Sequence, residues 1–189
     1  ITVFFYNKSI FLEAGLKPPT NWNEFLTICL KLNDLGINPI ALGAKERWPA
    51  QFWLDYLLLR TAGHEYREKL MKGIVSYTDP EVVRVYKLWS QLLVKGYFNK
   101  DANQLDWADA TERVCHKKAA MTLMGTWALQ HLTGDKCDLK AGIDFDYFVF
   151  PEIDKDIPKV AVGPVDGIVL TRNSANTSYA KTLLATFAE

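Results

Sequence analysis

Lys118-Ala119-Ala120-Met121-Thr122-Leu123-Met124-Gly125-Thr126-Trp127 is the stretch on which the reading of this chain turns. Ala119–Met124 is a short apolar run, long enough for one buried strand. It stops at Gly125. Thr126 is a good N-cap, and Trp127-Ala128-Leu129 then opens a helix. Such a corner leaves backbone N–H donors and a large aromatic face at the end of a strand. A neutral polyhydroxylated ligand needs both: donors for its hydroxyls and a flat surface for its C–H face. A strand–glycine–helix corner with a buried tryptophan is also ordinary core architecture, so the rest of the chain has to decide.

Helical and strand patterns alternate on both sides of the corner. Val3–Tyr6 reads as a strand and Asn7–Ala14 as a short helix stopped by Gly15. After the stiff Lys17-Pro18-Pro19, Thr20 or Asn21 caps a helix, with Glu24 placed for a capping box from Asn21. Trp22, Phe25, Leu26, Cys29 and Leu32 follow at helical spacing, and Gly36 ends the run. Pro39–Gly43 reads as a short buried strand. Trp48-Pro49 starts a helix reaching about Thr61, since proline suits the first turn. A short helix is expected around Arg67–Met71. Thr78-Asp79-Pro80-Glu81 starts another, whose apolar stripe is Val82, Val85, Tyr86, Trp89, Leu92 and Leu93. Trp107–Cys115 is a further helix. Phe145–Phe150 alternates as a strand, 152–159 is a charged linker, and Val160–Thr171 reads as a strand broken by Gly163-Pro164 and Asp166-Gly167. Many helices and a few short strands, alternating, give an α/β lobe.

The chain of 189 residues has 49% hydrophobic and 23% charged residues, an ordinary globular balance. Its 22 basic and 22 acidic residues cancel, so no long-range field draws nucleic acid or an anionic membrane. The start reads as a strand entered midway, and 179–189 as an amphipathic helix without a C-cap glycine. The sequence thus reads as part of a longer protein. Cys29, Cys115 and Cys137 form no C-x-x-C, and at most one pair bridges. Cys29 falls on an apolar helical face as a small buried hydrophobe. His64, His116 and His131 share no ligand spacing, so neither a metal nor a cofactor is expected.

The motifs of the common hydrolases, nucleotide binders and zinc proteases are absent. Asp55, Asp106, Asp109 and Asp166 are the acids that a fold would have to pair for carboxylate catalysis. The aromatic set is richer, at 13% with six tryptophans. Trp22, Trp53, Trp89 and Trp107 lie on apolar stripes and read as core. Trp48, at a loop–helix corner beside Glu46 and Arg47, and Trp127 read as cleft residues.

Six segments in order resemble the extracellular solute-binding proteins of ABC importers, in the carbohydrate-binding group. They are Phe5-Tyr6-Asn7-Lys8-Ser9-Ile10-Phe11, Ala14–Phe25 with its Pro18-Pro19-Thr20-Asn21-Trp22, Pro39–Gly43, Trp48–Trp53, the Ala119–Ala128 corner, and Phe150-Pro151 with Val162–Gly167. The resemblance implies a two-lobed periplasmic-binding-protein-like fold closing on ligand. Residues 1–158 would be a helix-rich second lobe, and 159–189 the crossover and start of the return into the first. It implies non-catalytic binding of a sugar or oligosaccharide and delivery to ABC permease subunits. It also implies an extracellular, periplasmic or lipoprotein setting and a monomeric full-length protein. Carried over by position, Trp127 resembles a sugar-stacking residue, with Gly125 beside it in the same corner as a further ligand-binding candidate. Glu46, Arg47 and Trp48 occupy a loop of polar and aromatic sugar contacts, and Asp166 and Gly167 a return segment near the hinge. The rival readings are a carbohydrate-active hydrolase using Asp106 or Asp166, and a protein-binding sensor or scaffold lobe.

Overall fold

The first apolar run becomes β1 (Thr2–Asn7), buried along its whole length. The computed structural model describes residues 1–188. Strand β1 lies inside a mixed sheet of order β2-β3-β1-β4. It is antiparallel to β3 (Met121–Gly125) and to β4 (Phe145–Phe148), while β2 (Ile40–Ala41) runs parallel to β3. Alternation along β1 sends its aromatics to two faces. Phe4 packs on Phe148, Phe25 and Trp53 at 4.9, 5.2 and 5.6 Å between ring centroids, and Phe5 meets Phe145 at 6.3 Å.

Helix α1 (Lys8–Glu13) follows at once, because the Asn7 side chain accepts from the backbone N–H of Ser9 and Ile10. Asn21 caps α2 (Trp22–Asp34) through the N–H of Glu24. The expected reciprocal contact shifts by one residue: Glu24 accepts from the N–H and hydroxyl of Thr20 at 2.7 and 2.9 Å. Helix α3 (Trp48–Thr61) is buried on nearly every side. That burial commits its two charged residues to partners. Asp55 pairs with Arg67 on α4 (Gly63–Met71), which starts four residues earlier than expected. Arg60 donates to the carbonyls of Phe150 and Val160.

Helix α5 (Pro80–Val94) packs on α3 but buries a narrower stripe than its sequence suggests. Val82, Val85 and Leu92 are buried, Trp89 is half-buried, and Tyr86 and Leu93 are exposed. Helix α6 (Trp107–Cys115) opens with a complete capping box between Asp106 and Asp109. Two sequence expectations fail here. Helix α7 (Ala128–Thr133) is capped by Trp127 without any side-chain hydrogen bond, not by Thr126. Trp127 itself has helical backbone angles, φ −61° and ψ −22°, and the entry is a tight turn in which Leu129 N–H donates to Thr126 O and Gln130 N–H to Trp127 O. Val160–Thr171 forms no strand. Its first residues are clipped to β1, with Thr2 N–H donating to Val162 O at 2.8 Å and Tyr56 Oη accepting from Val162 N–H. From Gly163 the backbone meets no ladder partner among the described residues, and Gly163-Pro164 removes a donor where pairing would continue. Helix α8 (Thr177–Ala188) exposes Tyr179, Leu183 and Phe187.

Cys115 and Cys137 form a disulfide across 22 positions, a constraint on the unfolded chain of about 3 kcal/mol. Cys29 is fully buried, and burial pushes its thiol pKa well up.

Candidate functional site

Close backbone approach brings three helix starts together. A Cβ on Gly43 would sit 1.8 Å from the Asp106 carbonyl oxygen, so only glycine lets the end of β2 touch the start of α6. The following loop is lashed to the same segment, Ala44 N–H to Ala102 O and Lys45 N–H to Leu105 O. Arg47, at φ 67°, then turns the chain sharply into α3. Trp48 is thereby set 6.5 Å from Trp107, at the first position of α6, and 6.1 Å from Trp127, just before α7. Phe52, one turn along α3, closes the group at 5.7 Å from Trp48 and 6.3 Å from Trp127.

Each indole has a reason for its pose. Trp48 Nε1 donates to Glu46 at 3.1 Å. Trp107 stands edge-on to His131 at 4.7 Å. The Trp127 ring lies on Gly125, where an added Cβ would come within 2.1 Å of its carbons. All three tryptophans are half-buried.

The aromatic group forms one wall of an open cleft of about 460 Å³, completed by Gln51, Asp55, Arg67, Val162, Pro164 and Asp166. Arg67 Nε donates to Asp55 Oδ1 at 2.8 Å. Asp55 is buried and Asp166 exposed. The cleft therefore combines flat apolar plates with carboxylate acceptors, an amide and one guanidinium already engaged. A larger cavity, about 550 Å³, lies between β1, β4 and α7, but its wall is mainly Ile1, Val3, Phe5, Leu129, Phe145 and Tyr147. Apart from Thr126 and Asp146 it offers few side-chain polar groups for a hydroxylated ligand.

Of the residues singled out in sequence, Trp48, Trp127 and Asp166 line this one cleft. Gly125 lies beneath Trp127, and Glu46 reaches the cleft through the Trp48 indole. Arg47 is exposed and contributes the turn. Gly167 is exposed, a Cβ added there would meet open space, and it is not part of the cleft wall. Trp107 corrects the sequence reading: it stands in the cleft, not in the core. It holds the first position of α6 as Trp48 does in α3, but Trp22 holds the same position in α2 and is buried, so no local signal told them apart. Gln51, Asp55 and Arg67 were not legible as a group, because they meet only when α3 and α4 pack.

Asp106 is occupied as a cap, with Oδ1 accepting from Asp109 N–H at 2.9 Å. Cys115, His116 and Cys137 bring three ligand-type atoms within 4.8 Å, yet both sulfurs are consumed in the disulfide and offer no thiolate.

Residues 1–189 match the bacterial extracellular solute-binding protein family. An uncharacterised ABC transporter extracellular-binding protein of Pyrococcus horikoshii is 29% identical over 185 residues, covering 97% of this chain and 40% of its own length. The bacterial solute receptor AcbH, described as having an exclusive preference for β-D-galactopyranose, aligns with TM-score 0.73 and 37% identity, over 80% of this chain and 37% of its own. A chitin oligosaccharide binding protein aligns with TM-score 0.75 and 32% identity, over 81% and 38%. The chain thus spans about two-fifths of the length of these relatives. The family match over the whole sequence and the structural alignments agree: this chain belongs to the bacterial extracellular solute-binding protein family.

Proposed function

We propose that this chain is most of the second lobe of a two-lobed, non-catalytic sugar-binding protein that delivers its ligand to an ABC import permease. Residues 1–158 form the lobe, and 159–189 cross back toward the first. The observation that carries the reading is the cleft built by Trp48, Trp107 and Trp127 at three helix starts.

A pyranose ring presents C–H bonds on its faces and hydroxyls around its rim. The indoles take the faces. Asp55, with one oxygen held by Arg67, keeps the other for a ligand hydroxyl, and Gln51 and Asp166 supply further polar contacts. Both carboxylates accept from neutral sugars and repel anionic ones. One lobe gives one wall, so tight binding needs the second wall and exclusion of water between them. The pairing of Thr2 with Val162 sets two segments side by side where a hinge would cross, and α8 leaves an apolar face for the first lobe. Hinge closure on the bound sugar then presents a closed protein to the permease.

The relatives named above as sugar binders support the ligand class. The occupation of Asp106 as a helix cap weighs against its use as a hydrolytic acid. A fluorescence titration of the two-lobed protein against neutral sugars tests the proposal. A saturable tryptophan change with no new product by chromatography is expected. Cleavage of an oligosaccharide would replace the binding reading with an enzymatic one.

A further inference from the structure

We propose that the Cys115–Cys137 disulfide positions the tryptophan corner of the cleft, so that the geometry of this site depends on the oxidised state of the pair. The inference deepens the sugar-cleft reading and rests on it for its meaning. The cysteines sit at the end of α6 and four residues beyond α7. Everything between them is the corner itself: β3, Gly125, Thr126, Trp127 and α7.

Helix α7 has little of its own to hold it. It is six residues long and its N-cap makes no side-chain hydrogen bond. A single helix of that length has no independent stability. It buries only Ala128 and Leu132. Among the described residues, the other polar tie between its following turn and α6 is Lys136 to Glu112 at 2.8 Å, with the lysine side chain 73% exposed. An exposed pair of this sort holds little. The covalent bond is therefore the strong link between α6 and the turn after α7. The opposite ends of these two helices carry Trp107 and Trp127, with Trp107 braced on His131 of α7. Losing the bond lets α7 fray, and Trp127, immediately before it, loses its pose over Gly125.

A disulfide that acts only on the unfolded chain gives a different signature. It would change global stability and leave local openings of α7 untouched. Hydrogen exchange by mass spectrometry separates the two, on this chain before and after treatment with a trialkylphosphine. The phosphine cleaves the S–S bond and is oxidised to phosphine oxide with oxygen from water, while the two sulfurs become thiols. Cys29 is buried and has no part in this. Amides 126–133 are expected to exchange at least tenfold faster on reduction. The near-ultraviolet circular dichroism of the coupled tryptophans should fall, and oxidised glutathione should restore both. Faster exchange confined to the slow core amides of β1 and β3, or no change at 126–133, would overturn the proposal. Should Cys115→Ser/Cys137→Ser fail to fold, reduction and carboxamidomethylation of the folded protein makes the same comparison. In the two-lobed protein, with galactose and chitobiose as probes, reduction should weaken binding about tenfold. Absence of binding to any neutral sugar in the oxidised state would overturn the reading of the cleft, while the exchange result would still decide the role of the disulfide.

Discussion

Trp22 and Trp53 on one side, and Trp48, Trp107 and Trp127 on the other, are the same residue put to opposite uses. Trp53 lies mid-helix in α3, fully buried, edge-on to Phe98 at 4.9 Å. Trp22 stacks between Phe25 and Phe150, and its Nε1 is buried with no partner among the described residues. The second group gathers at helix starts, half-buried, with the Trp48 Nε1 bonded to Glu46. An apolar stripe buries a tryptophan by its faces alone. A helix start with no further segment packed over it holds it from one side and leaves the other face for a ligand. What separates the two groups is whether a further segment covers the ring: Trp22, itself the first residue of α2, is closed over by Phe150, whereas the three cleft tryptophans stay half-buried.

The largest effect that would test this division is at Trp53. Trp53→Ala should cost about 3–5 kcal/mol of stability, the penalty for emptying a packed aromatic site. A denaturant titration reads it, and a loss under about 1 kcal/mol would mean α3 is not the centre of the core.

The cleft group should behave in the opposite way. In the two-lobed protein, Trp127→Ala should weaken sugar binding by about 1–3 kcal/mol while the fold survives. Gly125→Ala should do the same without removing the ring, because the methyl would occupy the space on which the indole lies. Calorimetry on both variants checks this. Unchanged affinity in Gly125→Ala would show that the pose of Trp127 is irrelevant.

Much of this contrast was legible in the sequence. The corner at Gly125, the cap at Asn21, and Pro49 and Pro80 in first helical turns are local signals, and the elements follow them closely. Asp55 with Arg67, and the Cys115–Cys137 choice of bridge, are tertiary facts that no spacing encodes. Trp107 was misassigned because Trp107, Ala110, Thr111 and Val114 do form an apolar stripe, and the stripe says nothing about which end of it is covered. The strand expected at Val160–Thr171 failed because β-propensity needs a partner edge to act on.

Trp89 lies between the two groups. It was expected in the core and is half-buried, so Trp89→Ala should cost about 1–2 kcal/mol, well short of the core figure. A loss as large as that of Trp53→Ala would restore the full stripe on α5.

The smallest effect concerns the seat of Trp22. Hydrogen bonds from the N–H and hydroxyl of Thr20 hold the Glu24 carboxyl below its usual pKa. A lowered folded pKa contributes stability above the unfolded value of about 4.3, and loses it as pH falls through the folded value. Glu24→Gln should therefore be slightly less stable than the parent at pH 7, and equal to it once Glu24 is protonated. A gap of constant size from pH 7 to pH 2 would remove the carboxylate from the account.

The central claim is the division of the tryptophans, and indole N–H resonances report on each of the six separately. A two-dimensional nitrogen–proton spectrum of the two-lobed protein, titrated with a panel of neutral sugars, is the direct measurement. Trp48, Trp107 and Trp127 should shift together and saturate with one affinity, while Trp22 and Trp53 stay in place. Shifts confined to Trp22, Trp53 or Trp89, or no shift of the three cleft indoles with any neutral sugar, would contradict it.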